Sequence, residues 1–119
     1  MNTSALTGIK SVEQVSFDEV MKKARRIVEL FHPQTIIFFG SYLSNYRTQD
    51  SDIDLLIIVN EQVSSFDKSV EISLALEHDF PMDIIVKTAN EIKERIEKND
   101  SFIQDILENG KVLYERNGV

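Results

Sequence analysis

The sequence predicts an α+β domain of two layers, in which helices and short strands alternate around one core. Three observations predict it. Apolar residues recur at helical spacing in some stretches and run without interruption in others. Prolines, glycines and capping residues stand where the period changes. The 119 residues are 42% apolar and 28% charged, a soluble composition, and a domain of this length buries roughly two-thirds of its unfolded surface.

Residues 1–15 show no clear period and read as a lead-in or tail, leaving residues 16–119 as the domain. Ser16-Phe17-Asp18-Glu19 fits a capping box, and Val20, Ala24, Ile27, Val28 and Phe31 follow at helical spacing until His32-Pro33 ends the run. Thr35 to Phe39, β-branched and aromatic and closed by Gly40, predicts a strand buried on both faces. Asp52 to Val59 is a second strand, acidic at its start and apolar thereafter. Ser64 or Ser65 can cap a helix through Val70, Ile72, Leu74, Ala75 and Leu76. Pro81 precedes a third strand, Met82 to Val86, and Thr88-Ala89-Asn90-Glu91 opens an exposed helix with Glu91 and Arg95 at i,i+4. A last helix from about Asp100 to Glu108 stops at Asn109-Gly110, and Lys111 to Tyr114 forms the final strand.

Composition removes several classes of function. Twenty acidic against thirteen basic residues give a net charge of −7, which disfavours nucleic-acid backbones and anionic lipid surfaces. The absence of cysteine removes disulfides, thiolate nucleophiles and Cys-based metal sites. With its longest apolar run only Leu55 to Val59 and no secretory profile, a cytoplasmic protein without a membrane partner is expected. The four glycines, Gly8, Gly40, Gly110 and Gly118, are too dispersed for a P-loop or a dinucleotide fingerprint.

The chemistry gathers at the carboxylates. On a strand Asp52 and Asp54 share one face, and two carboxylates about 4 Å apart at an effective dielectric near 20 repel by roughly 4 kcal/mol. A divalent cation reverses that cost, and hard oxygen donors favour Mg²⁺ or Mn²⁺ over Zn²⁺. Asp83, at the start of another apolar strand, is the candidate third ligand if that strand lies beside the one carrying Asp52 and Asp54. Such a cluster can hold two cations about 3.5–4 Å apart, the arrangement of phosphoryl and nucleotidyl transfer. Gly40 and Ser41 stand where a bare backbone turn lets a phosphate approach. A calcium loop with Asp50, Asp52, Asp54 and Glu61 at positions 1, 3, 5 and 12 fails at position 6, where Leu55 heads an apolar run instead of a glycine.

Phe39-Gly40-Ser41, the ten residues Tyr42 to Ser51, and then Asp52-Ile53-Asp54-Leu55 resemble the signature of the minimal nucleotidyltransferases of the DNA polymerase β-like superfamily. The closing Glu108 to Glu115 is similar to that family's usual ending. The resemblance implies a nucleotidyltransferase fold, with helices packed on a short mixed sheet. It implies that Gly40 and Ser41 grip the nucleotide's phosphates, and that Asp52 and Asp54 bind two Mg²⁺ ions with Asp83 completing the site. It further implies transfer of AMP from ATP to a hydroxyl, as in antitoxins paired with a HEPN-domain toxin, some of which resemble AMP-transferases acting on a toxin tyrosine.

Where relatives carry a basic residue and then a glycine after Gly-Ser, this chain has Tyr42, Ser44 and Asn45, with Arg47 the nearest cation. Two other readings stay open. One is an antitoxin that masks its partner by binding without catalysis. The other is a small-molecule, antibiotic-modifying transferase, for which a homo-oligomer would have to supply the missing walls. His32 and His78 fall at helix ends, where an imidazole satisfies terminal carbonyls, and Tyr42 and Tyr46 read as packing residues.

Overall fold

The structure is a computed structural model that describes residues 15–40 and 52–116. In chain order the elements are α1 (Phe17–Phe31), β1 (Thr35–Phe39), β2 (Ile53–Val59), α2 (Ser65–Ala75), β3 (Met82–Thr88), α3 (Ala89–Glu97), α4 (Ser101–Asn109) and β4 (Lys111–Glu115). The strands form one mixed sheet ordered β3-β2-β1-β4, with β2 parallel to β3 and antiparallel pairing elsewhere. The α+β class stands as expected.

Helices lie on both faces of the sheet, which is therefore the middle of three layers where two were expected. The cause is the double-sided apolarity of β1 and β2. Ile36, Phe38, Ile53, Leu55, Ile57 and Val59 face one way and pack with Val20, Ala24 and Ile27 of α1 and Ile72 of α2. Ile37, Phe39, Leu56 and Ile58 face the other way and pack with Ile92 of α3 and with Ile103 and Ile106 of α4. Leu55, fully buried in β2, leaves no place for a calcium loop.

The ends of the helices follow their capping chemistry. Ser16 accepts from the N–H of Glu19, while Val15 and Val20 on either side of the cap enter the same core cluster, the arrangement of a hydrophobic staple. His32 closes α1 at φ 49°, donating its backbone N–H to Val28. Ser64 caps α2, and Asp100 caps α4 by accepting from Phe102 and Ile103. Thr88 and Glu91 form the complete capping box of α3. The Glu91 carboxylate also accepts from the Ser65 hydroxyl, tying the first turns of α2 and α3 together. Arg95 turns to Asp100, at 3.6 Å, rather than to Glu91.

Of the apolar residues along α2 and its C-cap, Val70 and Leu74 are 41% and 81% exposed, while Ile72 and Leu76 are buried. The helical period alone did not say which stripe faces the sheet. Among the described residues no helix is long and apolar enough to cross a membrane.

Candidate active site

The site is built at one end of the sheet, where β1 finishes and β2 and β3 begin. β1 delivers Gly40, and antiparallel pairing sets Phe39, the residue before it, opposite Asp54 of β2. Parallel pairing then sets Asp54 opposite Asp83 of β3. The N–H of Ile53 donates to the Pro81 carbonyl at 2.9 Å, which locks the two strand starts into this register. That contact carries no motif of its own. Pro81 is recognisable in the sequence as a strand boundary, but not as the acceptor that aligns the acids.

Adjacent strands are about 4.8 Å apart, and in a parallel pair register partners project from the same face. Asp54 and Asp83 are therefore side by side, with Asp54 half-buried and Asp83 exposed. Asp52 is exposed and immediately precedes β2. The three acids share one electrostatic environment. Burial, then the charge of Asp83, then that of Asp52 raise the Asp54 carboxyl from 3.8 to about 6. Among the described residues no ion pair relieves them.

Gly40 completes the geometry. Its φ of +92° lies where side-chain-bearing residues rarely go, and a Cβ there would overlap the Asp54 carboxylate, with Cγ only 3.0 Å away. The bare backbone of the turn and the half-buried carboxylate are thus in direct apposition. Ser41, the other predicted phosphate ligand, lies outside the described residues, as do Tyr42, Ser44, Asn45, Tyr46, Arg47 and Asp50. The His78 ring sits 2.6 Å from the Ser73 carbonyl near the end of α2, as expected, whereas His32 closes α1 through its backbone N–H.

Among the described residues no three Asp, Glu or His side chains are gathered tightly enough to cage a metal ion. The donor set nevertheless suits a hard divalent cation. Mg²⁺ keeps several waters and is characteristically held by one or two carboxylates plus substrate phosphates, not by an all-protein cage. Two neighbouring carboxylates with a third nearby, one of them driven toward protonation by burial and then by the charge of the others, are a site that a cation relieves.

The mixed sheet, with helices on both faces, carries two register-paired acids beside Gly40. The family model "Polymerase beta, Nucleotidyltransferase" matches residues 20–118, and the chain belongs to this family of transferases. It is 36% identical over 81 residues to the "Putative protein adenylyltransferase" of Methanocaldococcus jannaschii, covering 66% of this chain and 76% of that protein. The crystal structure of a "putative nucleotidyltransferase" from Sulfolobus solfataricus superposes with a TM-score of 0.55 at 16% identity, over 99% of this chain and 93% of that one. A mutant toxin–antitoxin MntA–HpeT structure gives a TM-score of 0.50 at 17% identity, over 87% and 75% of the two chains. At these identities the two structures speak for the fold.

Proposed function

We propose that the chain transfers AMP from ATP to a hydroxyl of a partner protein, as the cytoplasmic antitoxin of a HEPN-toxin pair. The observation that carries the proposal is the register of Asp54 with Asp83, with Gly40 laid bare beneath the Asp54 carboxylate. The acceptor class is supported by the relative that bears the name protein adenylyltransferase, and the antitoxin role by the fold shared with a toxin–antitoxin structure.

In this reading an acceptor oxygen bonds to the α-phosphorus of ATP, the bond from that phosphorus to the bridging oxygen of pyrophosphate breaks, and one proton is released to solvent. Asp52, Asp54 and Asp83 would hold two Mg²⁺ ions, with Mn²⁺ an accepted substitute. Held there, such cations would supply neutralisation of the charge that develops on the phosphates. The chain's own residues do the positioning. Gly40, with Ser41 following it in sequence, would let backbone N–H groups approach the terminal phosphates, since no Cβ stands in the way at Gly40. Asp54 is anchored by the strand on both sides, so its carboxylate is aimed before substrate arrives.

The masking reading draws on Tyr42, Ser44 and Asn45, which stand in the sequence where basic residues that would grip a triphosphate are expected after Gly40-Ser41. One experiment separates the two. Incubation with a HEPN-domain toxin, Mg²⁺ and α-labelled ATP is expected to label the toxin, and Asp54→Asn to abolish the label. Tight toxin binding with no label from any nucleotide would overturn transfer in favour of masking.

A further inference from the structure

The acids share their face of the sheet with an aromatic pair. Residues alternate along β1 and β2, so Phe39, the register partner of Asp54, projects toward α3 and α4 together with Asp54, Leu56 and Ile58. Residues directly opposite in an antiparallel pair have Cβ atoms about 4.5–5.5 Å apart, which puts Phe39 beside the Asp54 carboxylate. Phe102, in the first turn of α4, meets the Phe39 ring edge to face, with centroids 5.8 Å apart and an interplanar angle of 82°. One side chain therefore separates Phe102 from Asp54. Asp100 fixes the start of α4 by accepting from the N–H groups of Phe102 and Ile103 at 3.0 and 3.2 Å. Phe39 is 9% exposed, but Phe102 is 53% exposed. Among the described residues, lysine ammonium groups lie over the rings of Phe17, Phe31 and Phe80, and none lies over Phe102. A T-shaped contact occupies at most one face of a ring, so Phe102 keeps a π-face open to solvent at the reacting end of the sheet.

We infer that Phe102 is a positioning residue, the platform on which the base of the nucleotide substrate stacks while its phosphates lie at Asp54, Asp83 and Gly40. This role rests on the transfer reading above and adds to it the place of the base. The base is joined to the α-phosphate through the ribose, and it is a flat, uncharged ring that carboxylates cannot hold. Phe102 offers a flat apolar surface on the same face as the acids, one side chain away. Stacking reads the π-face that every base has, so Phe102 supplies affinity without selecting among bases.

Titration calorimetry of the full chain with ATP and with inorganic tripolyphosphate, each with Mg²⁺, separates the base from the phosphates. Phe102→Ala and Phe102→Leu are each expected to weaken ATP about ten-fold and leave tripolyphosphate unchanged, with Phe102→Tyr restoring ATP to within about two-fold. GTP is expected to follow ATP in every variant. The leucine keeps apolar cover on Phe39 but has no π-face, and unaltered tripolyphosphate binding will show that the acids and Gly40 are undisturbed. In labelling of a HEPN-domain toxin, Phe102→Leu should raise KM for ATP about ten-fold with kcat within about two-fold of the unmodified chain. Equal loss of ATP and tripolyphosphate, undiminished ATP binding in Phe102→Leu, or a KM raised for the toxin and not for ATP would overturn the platform, as would failure of the unmodified chain to bind ATP. Transfer whose KM for ATP ignores Phe102 would overturn the platform and leave transfer intact. ATP binding that depends on Phe102, with no transfer to any protein acceptor, would do the reverse.

Discussion

Asp54 of β2 and Asp83 of β3 are register partners in the parallel pair of the sheet, so two carboxylates 29 positions apart in sequence sit about one strand spacing apart. Neither strand alone has this property. Asp54 lies in β2 two residues after Asp52, which precedes the strand, and β3 adds Asp83, whose charge with that of Asp52 and with burial raises the Asp54 carboxyl.

Removing either acid should therefore remove chemistry more than stability. Asp54→Asn and Asp83→Asn are each expected to lower labelled-AMP transfer on the order of 10²–10³-fold, the scale of losing one preorganised electrostatic contact to the reacting phosphates. Steady-state labelling with saturating ATP and Mg²⁺ measures it. Retention of more than a tenth of the activity in Asp83→Asn would remove that residue from the site.

The raised Asp54 carboxyl has a consequence for stability. Its folded value of about 6 lies above the ordinary 3.8, so its contribution to stability is present below pH 3.8 and is lost as pH rises through about 6. At neutral pH the ionised folded state carries the repulsion. Asp54→Asn should raise stability at pH 7 by about 1 kcal/mol, a figure reduced for solvent screening of a half-exposed group, and should gain little at pH 3.5. Denaturant titrations at the two pH values test the sign. Mg²⁺ should likewise raise the melting temperature of the unmodified chain and leave Asp54→Asn nearly unchanged.

Gly40→Ala combines two penalties, a left-handed backbone and a Cβ placed on the Asp54 carboxylate. The backbone alone costs about 1–2 kcal/mol, and the overlap forces Asp54 to move as well. The expected result is a loss of about 2 kcal/mol or more in urea unfolding, together with weakened Mg²⁺ binding. Gly110→Ala, whose Cβ would meet the Ile106 carbonyl and the Ile37 side chain at 2.5 Å, serves as a comparison that should destabilise without touching Mg²⁺ affinity.

Glu91 bonds Thr88 and Ser65 at the junction of α2 and α3. Burial works against its charge, but the Ser65 and Thr88 hydrogen bonds and the Lys87 charge outweigh it and hold the carboxyl below the ordinary glutamate value of 4.5. This contribution is therefore present above pH 4.5 and is lost as the pH falls below it. Glu91→Ala should cost about 1 kcal/mol at pH 7, the scale of a lost cap, and less at pH 3. A difference independent of pH would show that the hydrogen-bonded carboxylate is not the cause.

The strands were legible because their chemistry is local. Thr35 to Phe39 is β-branched, aromatic and terminated by glycine, and the observed β1 has those same limits. Ser16, Thr88 and the pair Ser64-Ser65 each marked a helix start, because a hydroxyl that accepts from the N–H three residues on acts within one turn, and the structure gives the cap of α2 to Ser64. The inner face of α2 was not legible. Its apolar residues occupy more than one stripe, and only the sheet decided that Ile72 goes in and Leu74 stays out.

The same division holds for the site. By itself, the chain's order of residues determined that Asp54 lies near the start of a strand with Asp52 two residues before it, that Gly40 follows the end of a strand, and that hard oxygen ligands are the available ones. The strand expected from Asp52 begins one residue later, at Ile53, because Asp52 is exposed and unpaired in the ladder. Only the tertiary structure decided that β3 runs parallel beside β2 with Asp83 in register, and that the Asp54 carboxylate lies over Gly40. Register between distant strands depends on how two helical layers close over a sheet that is apolar on both sides, and no local pattern contains that information.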